Sequence, residues 1–337
     1  MSEKNETLVL FLASIIPIGL VLGGLWFVFG KGGSISQPTT QQLNSSNKCD
    51  VTNLPEGIFN YGGSTTWATI RRDIDPVLQQ KCPKFVLRYL DPPSGKPGSG
   101  TGIKMLIANQ LAFSQSSRSF KPEENQQAQQ KGFSLKEIPV AIDGIAIAVN
   151  HNLNIPGLTV AQIKDIYTGK ITNWQQVGGV NLPITPLTRP KEAGGTVEFF
   201  LENVLEKESF GKNVQYIGTT TEALRKVDAN PGSIYYASAP EVVPQCTVKS
   251  LPIGRTNTKF IPPYKEPQVS RSECPAKLNQ LNAEMFRSGE YPITRNLFVI
   301  VKQNNQIDQQ AGEAYANWLL TPQGQQLLEK TGFVRIK

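Results

Sequence analysis

The chain has a single histidine, His151, in 337 residues. A multi-histidine metal site is therefore excluded, and a lone histidine just past an apolar run reads as a surface residue. Cysteine is scarce as well: Cys49, Cys82, Cys246 and Cys274, with no C-x-x-C pair to support zinc or thioredoxin-like chemistry. No nucleophile–base pair and no paired-carboxylate motif is visible, so a hydrolase has no machinery to point to, and neither a catalytic residue nor a cofactor is expected. No long Lys/Arg run with interleaved aromatics occurs, which argues against nucleic acid. No internal repeat of fixed short period is present, which removes the solenoid architectures.

What is there begins with one uncharged stretch. From Leu8 to Phe29, "LVLFLASIIPIGLVLGGLWFVF" carries no charge and lies between Glu6 and Lys31. About 20 such residues cross a bilayer, whereas a secretory signal has an apolar run of roughly 7–15 followed by a small-residue cleavage site. No A-x-A pattern follows, and no cysteine stands directly after the run for lipid attachment. Residues 1–30 are expected to be a retained single-span transmembrane anchor. Flanking charge does not set its orientation, because Lys4 on one side faces Lys31 on the other. Residues 31–48, "KGGSISQPTTQQLNSSNK", read as a flexible linker.

All four cysteines follow the apolar run, as two disulfides in an oxidising space would require. The expected location is thus the cell membrane, single-pass, with the folded part on the extracytoplasmic side. A hydrophobic fraction of 39% with 18% charged residues is that of a folded domain, and the net charge of +7 is compatible with an anionic ligand or surface.

Beyond the linker, strand and helix patterns alternate. "GIFNY" (57–61), "FVLRYL" (85–90), "IPVAIDGIAIAVN" (138–150, interrupted at Asp143-Gly144), "PITPLTR" and "GSIYYAS" read as strands. "TTWATIRRDIDPVLQQ", "TGIKMLIANQL", "TVAQIKDIYTG" and "GTVEFFLENVL" read as helices between them. That order predicts an α/β fold with a mostly parallel sheet covered on both faces. If the strands at 57–61 and 85–90 are parallel neighbours, Cys49 and Cys82 enter the sheet at one edge and come within bridging range. Cys246 and Cys274 then pair by elimination, though four cysteines allow three connectivities.

Ligands of open α/β sheets sit beyond the carboxyl ends of strands. Three strand-to-helix loops share a composition there: Ser64 and Thr65 in "YGGSTTW", Ser99, Gly100 and Thr101 in "GKPGSGTGI", and Arg189, Gly195 and Thr196 in "TRPKEAGGTVEFF". Each combines hydroxyls, bare backbone N–H groups and a helix start, a set suited to an anion. A single such loop is usually only a turn. Three at equivalent positions favour a tetrahedral oxyanion, for which arginine supplies a permanently charged fork.

The stretches "GGST", "GSGTGIKMLIANQ", "SSRSFKPEE", "EIPVAIDGIAIAVN", "LTVAQIKDIYTGKITNWQQVGG", "GGTVEFF", "YPITRNLFVIVK" and "WLLTPQGQQLLEKTGFVRI" carry a resemblance. From about Gly57 to the end, the chain resembles the phosphate-binding, PstS-type substrate-binding proteins of ABC transporters. The resemblance implies a two-lobed periplasmic-binding-protein-like fold (type II) with crossing hinge strands. On that pattern 49–337 forms the binding domain, with lobe 1 at about 49–143 plus 245–337 and lobe 2 at about 144–244. It implies inorganic phosphate or a similar oxyanion as ligand and ABC permease subunits as partners.

Residue by residue, Ser64, Thr65, Ser99, Gly100, Thr101, Arg189, Gly195 and Thr196 resemble the family's ligand set. Three departures stand out. Gly194 replaces a serine of the third loop, that loop is one residue longer than usual, and Gln115 falls where many members carry an aspartate. A carboxylate there would accept the proton of phosphate and repel sulfate, so Gln115 predicts weaker selectivity.

Ser117 and Arg118 are further candidates for the cleft wall, with an ion pair an equal reading for Arg118. Asp143 reads either as a hinge residue or as a partner of Arg189. Tyr167 and Trp174 read as core. The competing function is a phosphate-sensing or protein-interaction module whose cleft is relaxed. Loss of two ligand positions favours that alternative, while retention of Arg189 and all three loops favours transport.

Overall fold

The computed structural model describes Cys49 and residues 54–191 and 194–336. The expected anchor and linker lie outside these residues. Among the described residues no helix is long and apolar enough to cross a membrane.

Among the described residues twelve strands follow one another: β1 (Gly57–Gly63), β2 (Phe85–Tyr89), β3 (Phe113–Ser116), β4 (Ser134–Asn150), β5 (Leu158–Thr159), β6 (Thr185–Thr188), β7 (Gln215–Tyr216), β8 (Ser233–Ser238), β9 (Val248–Leu251), β10 (Ile253–Thr256), β11 (Lys259–Ile261) and β12 (Thr294–Gln303). The main sheet runs β2-β1-β3-β12-β4-β8-β6-β7, with β9 also on β4. β1 pairs in parallel with β2 and β3, and β6 with β7 and β8. β12 is antiparallel to β3 and β4, and β4 is antiparallel to β8 and β9. The sheet is therefore mixed rather than mostly parallel. Direction depends on which distant strands meet, and helix-and-strand alternation carries no information on that.

β4 explains the two-lobed layout. Its first half, up to Gly144, pairs with β12, and its second half, from Ile145, pairs with β8 and β9. The first half has mixed burial, but from Asp143 to Asn150 every residue is buried. A strand covered on both faces needs an unbroken apolar run, and "IAIAV" supplies it. Asp143-Gly144 does not interrupt the strand. It marks where β4 passes from one lobe to the other.

Two sets of buried side chains lie on either side of this crossing. Trp67, Phe85, Phe113, Tyr315 and Trp318 belong to the first lobe. Tyr167, Trp174, Phe200 and Tyr236 fill the second, as expected for Tyr167 and Trp174. Val248, Leu251, Ile253, Ile261, Tyr264 and Phe286 join that same second core. The expected boundary at 245 is thereby corrected. Residues from 248 to about 293 stay with lobe 2, and the chain returns through β12, where Thr294 pairs with Gly144. The reason is the pairing of β9 with β4 and of β10 with β5, which holds the Pro-rich segment to lobe 2.

Both expected disulfides are present, Cys49–Cys82 and Cys246–Cys274, with Cα atoms 5.1 and 5.7 Å apart. The first follows from the register Gly57↔Phe85 of the parallel β1–β2 pair, which brings the two entering segments side by side.

Candidate functional site

The three loops meet at the seam between the lobes. β1 ends at Gly63, and Ser64 caps the short helix Thr65–Trp67, its Oγ accepting from the Thr66 N–H at 3.2 Å. The same hydroxyl donates to Ser117 Oγ at 3.0 Å. Ser99 opens the helix Ser99–Ile107; its Oγ accepts from the Ser117 N–H at 3.0 Å and lies 3.2 Å from Ser117 Oγ. Ser64, Ser99 and Ser117 are each fully buried. Three lobe-1 hydroxyls thus share one point.

Lobe 2 meets them with the third loop. Gly194 has φ 126°, a conformation that L side chains rarely adopt, so a serine at this position would be strained. A Cβ on Gly98 would lie 3.2 Å from Gly194 Cα, which puts the second and third loops backbone to backbone. A Cβ on Gly195 would lie 2.5 Å from Ser99 Oγ and would also collide with Ser117 Oγ. The third loop fits only because Gly195 has no side chain. Thr66 and Thr196, from opposite lobes, place their hydroxyl oxygens 3.3 Å apart.

Beneath this pair lies an arginine that sequence reasoning passed over. Arg295, near the start of β12, donates from Nε and Nη2 to Asp143 Oδ2 at 3.0 and 2.8 Å. Asp143 Oδ1 accepts from Ser238 Oγ at 2.6 Å. Arg295 Nη2 also reaches Thr66 Oγ1 at 3.1 Å and Thr196 Oγ1 at 2.9 Å. Asp143 therefore pairs with Arg295 at the crossing, not with Arg189. "YPITRNLFVIVK" had the residue in view, but no local pattern marks a strand arginine as one that faces a cleft 99 residues away in sequence.

The remaining candidates divide. Thr65 lies against Gly194, where a Cβ would be 2.9 Å from its Oγ1. Gly100 sits beside the guanidinium of Arg118, 3.0 Å from where its Cβ would be. Thr101 turns back on its own loop and donates to the Lys96 carbonyl at 3.1 Å. Arg189 lines an enclosed cavity of about 10 Å³ with Thr196, Thr220, Tyr235, Tyr236 and Glu241, room for roughly one water.

Arg118 is an ion-pair residue. It contacts Glu124 at 2.8 Å within lobe 1 and Glu198 at 2.8 Å across the seam. Burial works against its charge, but the two carboxylates overcome that and hold its pKa above the ordinary value.

Gln115 is a correction. Its carbonyl accepts from Arg71 Nη1 at 2.8 Å and its amide donates to Tyr315 Oη at 2.9 Å, so both ends are engaged away from the hydroxyl cluster. Gln115 lies inside β3 under the helix Ile307–Leu319, whereas Ser117 stands just past the strand's carboxyl end. The residue that meets the other loops is therefore Ser117. Gln115 instead belongs to a buried chain under the first loop: Arg71 also donates to the Ser64 carbonyl at 3.0 Å, and Tyr315 continues to Asp75 at 2.8 Å.

Asp75 accepts from Tyr61 as well, at 2.6 Å. Burial pushes its pKa up to about 6, against the hydrogen bonds of Tyr61 and Tyr315 and the charge of Arg71. The folded protein takes up this proton at a higher pH than the unfolded chain. The resulting cost is complete above about pH 6 and is relieved as pH falls toward 4. Relative to Asp75→Asn, the wild type should gain stability over that fall, by at most about 1.4 kcal/mol per pH unit. Urea unfolding of both proteins at pH 4 to 7 checks this, and parallel profiles would refute it.

Comparison with known proteins gives the chain its relatives. The PBP superfamily domain model matches residues 36–323. The phosphate-binding protein PstS of Staphylococcus epidermidis is 26% identical over 268 residues, covering 77% of this chain and 75% of that protein. The PstS of Staphylococcus haemolyticus is 27% identical over 277 residues, covering 81% and 79%. Among solved structures, a putative phosphate ABC transporter substrate-binding protein from Clostridium perfringens, with bound phosphate, is similar with a TM-score of 0.64 and 25% identity. That match covers 83% of this chain and all of the other. An ABC-type phosphate transport receptor from Vibrio cholerae shares the fold with a TM-score of 0.64, at 21% identity and covering 82% and 99% of the two chains.

Proposed function

The chain belongs to the PBP superfamily, and from that premise we propose that it captures phosphate, or a similar tetrahedral oxyanion, between its lobes for an ABC transporter. The observation that carries this reading is the meeting of three loops at one seam. Ser64, Ser99 and Ser117 come from one side, Gly195 and Thr196 from the other, and Arg295 lies beneath. The similarity to phosphate-binding transport proteins supports the same ligand. Crossing strands β4 and β12 form the hinge about which such lobes close.

The ligand set comprises Ser64, Ser99, Ser117, Arg189, Gly195 and Thr196, with Thr65 and Gly100 at its margin. The folded part works outside the cytoplasm, which the two disulfides favour. The apolar run at 8–29 tethers it to the membrane, and permease subunits receive the ligand.

Titration calorimetry of the purified chain with phosphate, sulfate and arsenate tests the reading. Phosphate should bind at micromolar concentration or below. Arg189→Ala should weaken it by about 2–5 kcal/mol, roughly thirty- to several-thousand-fold, as for a desolvated charge contact. A wild type that binds none of the three anions would leave the sensor or interaction module as the better account.

A further inference from the structure

We infer that Arg295 touches the bound anion directly, through Nη1, with the hydroxyls of Thr66 and Thr196 on either side. The inference rests on the anion-binding reading above and adds to it a contact residue from the hinge itself.

Arg295 is 5% exposed, so each of its five N–H donors is removed from water and needs an acceptor. Nε and Nη2 find theirs in Asp143 and the two threonines. Nη1 is buried and has no hydrogen-bond partner among the described residues. A donor left bare in this way costs free energy, and a site that holds it ready for a ligand explains why it persists.

The planar guanidinium fixes where that donor points. One Nη2 hydrogen lies on the Nε side and the other on the Nη1 side. The Nε–Nη2 edge faces Asp143 Oδ2, so the second Nη2 hydrogen, which serves Thr66 and Thr196, lies on the Nη1–Nη2 end. Nη1 therefore opens toward the same two threonines, at the seam where the first and third loops meet.

The threonines gain from the arrangement. Each hydroxyl oxygen accepts from Arg295; without a ligand one of the two protons serves the other threonine at 3.3 Å, and both can turn to an anion when one is bound. With the anion present, Nη1 and two O–H groups all present hydrogen to one ligand. Thr66 belongs to lobe 1 and Thr196 to lobe 2, so an anion held there ties the lobes together at the crossing strands. The Phe199 ring, 5.5 Å from Arg295 Cζ, covers one face of the guanidinium and keeps water from it. Asp143 keeps the arginine in place and balances its charge while the cleft is empty.

Two measurements test the contact. A crystal structure of the wild-type chain grown with phosphate should show a phosphate oxygen within hydrogen-bond distance of Arg295 Nη1. Phosphate seated in the cleft without that contact overturns the inference while leaving the transport reading intact.

The second is calorimetry of Arg295→Lys, which keeps the charge and one bond to Asp143 but loses the fork. Phosphate affinity should fall about ten- to a hundredfold, with the thermal midpoint of the ligand-free protein showing whether the variant is folded. Alongside it, ³¹P spectra of bound phosphate follow its protonation with pH. The wild type should hold the dianion to lower pH than the variant does. A folded Arg295→Lys with wild-type affinity, or weaker binding with an unchanged ³¹P titration, would reduce Arg295 to a structural pin of the hinge. Should Arg295→Lys fail to fold, the wild-type crystal structure decides alone. Absence of phosphate binding by the wild type would overturn both readings together.

Discussion

Gly195→Ala is expected to cost this protein about two to four powers of ten in phosphate affinity while leaving its fold untouched. The backbone at Gly195 is ordinary helix, so alanine is acceptable locally and even favours the first turn. The difficulty is across the seam, where the new methyl would enter the space of Ser117 Oγ and Ser99 Oγ. Both serines are fully buried and engaged in hydrogen bonds with each other, so neither has a free rotamer to retreat to. The lobes must stay apart by the width of a methyl group.

Each hydrogen bond to a charged ligand contributes about 1.5–3 kcal/mol. Holding lobe 2 off the anion forfeits about two of them, roughly 3–6 kcal/mol, and each 1.4 kcal/mol is tenfold in affinity. Calorimetry gives the affinity, and small-angle scattering gives the closure. Phosphate should contract the wild type and leave Gly195→Ala unchanged, with the ligand-free unfolding midpoints of the two alike. A variant that binds and contracts as the wild type does would mean that the loops do not close on the ligand.

Arg118→Ala should destabilise the protein by about 3–5 kcal/mol, the range for removing one partner of a buried ion pair. Two carboxylates lose their cation at once. The Glu124 side chain is 10% exposed and Glu198 21%, and water offers little replacement. Much of the loss is the cost of the charges left behind, so Glu124→Gln in the same chain should recover part of it. The neighbouring interlobe pair, Lys121–Glu202, is a useful contrast. Its side chains are 42% and 34% exposed, and Lys121→Ala should cost no more than about 1 kcal/mol. Urea unfolding of the three variants separates the cases. Equal, small losses for Arg118→Ala and Lys121→Ala would show that burial at Arg118 is overstated.

Much of the fold was legible because its signals are local. Apolar spacing in "TGIKMLIANQL" and "TVAQIKDIYTG" marked helices that exist at Ser99–Ile107 and Val160–Thr168. The apolar run before Asn150 marked a strand buried on both faces, and the cysteine positions before two parallel strands led to the observed pairing. The three loops were readable for the same reason: glycine and hydroxyl residues between a strand and a helix are a local pattern, and position beyond a strand's carboxyl end is a general property of such sheets.

What the residues settled by themselves was thus the order of elements and the loops that carry donors. Tertiary structure alone decided which side chains those loops share. Whether residue 115 or 117 reaches the cleft turns on where β3 stops and which helix covers it. Whether the Pro-rich segment joins lobe 1 or lobe 2 turns on β9 finding β4. Arg295 lies at the seam because β12 crosses the hinge beside Asp143, bringing residues 152 positions apart into a 2.8 Å contact. Periodicity reports which face of its own element a residue occupies, and what stands opposite that face is set by long-range pairing that no short stretch of chain encodes.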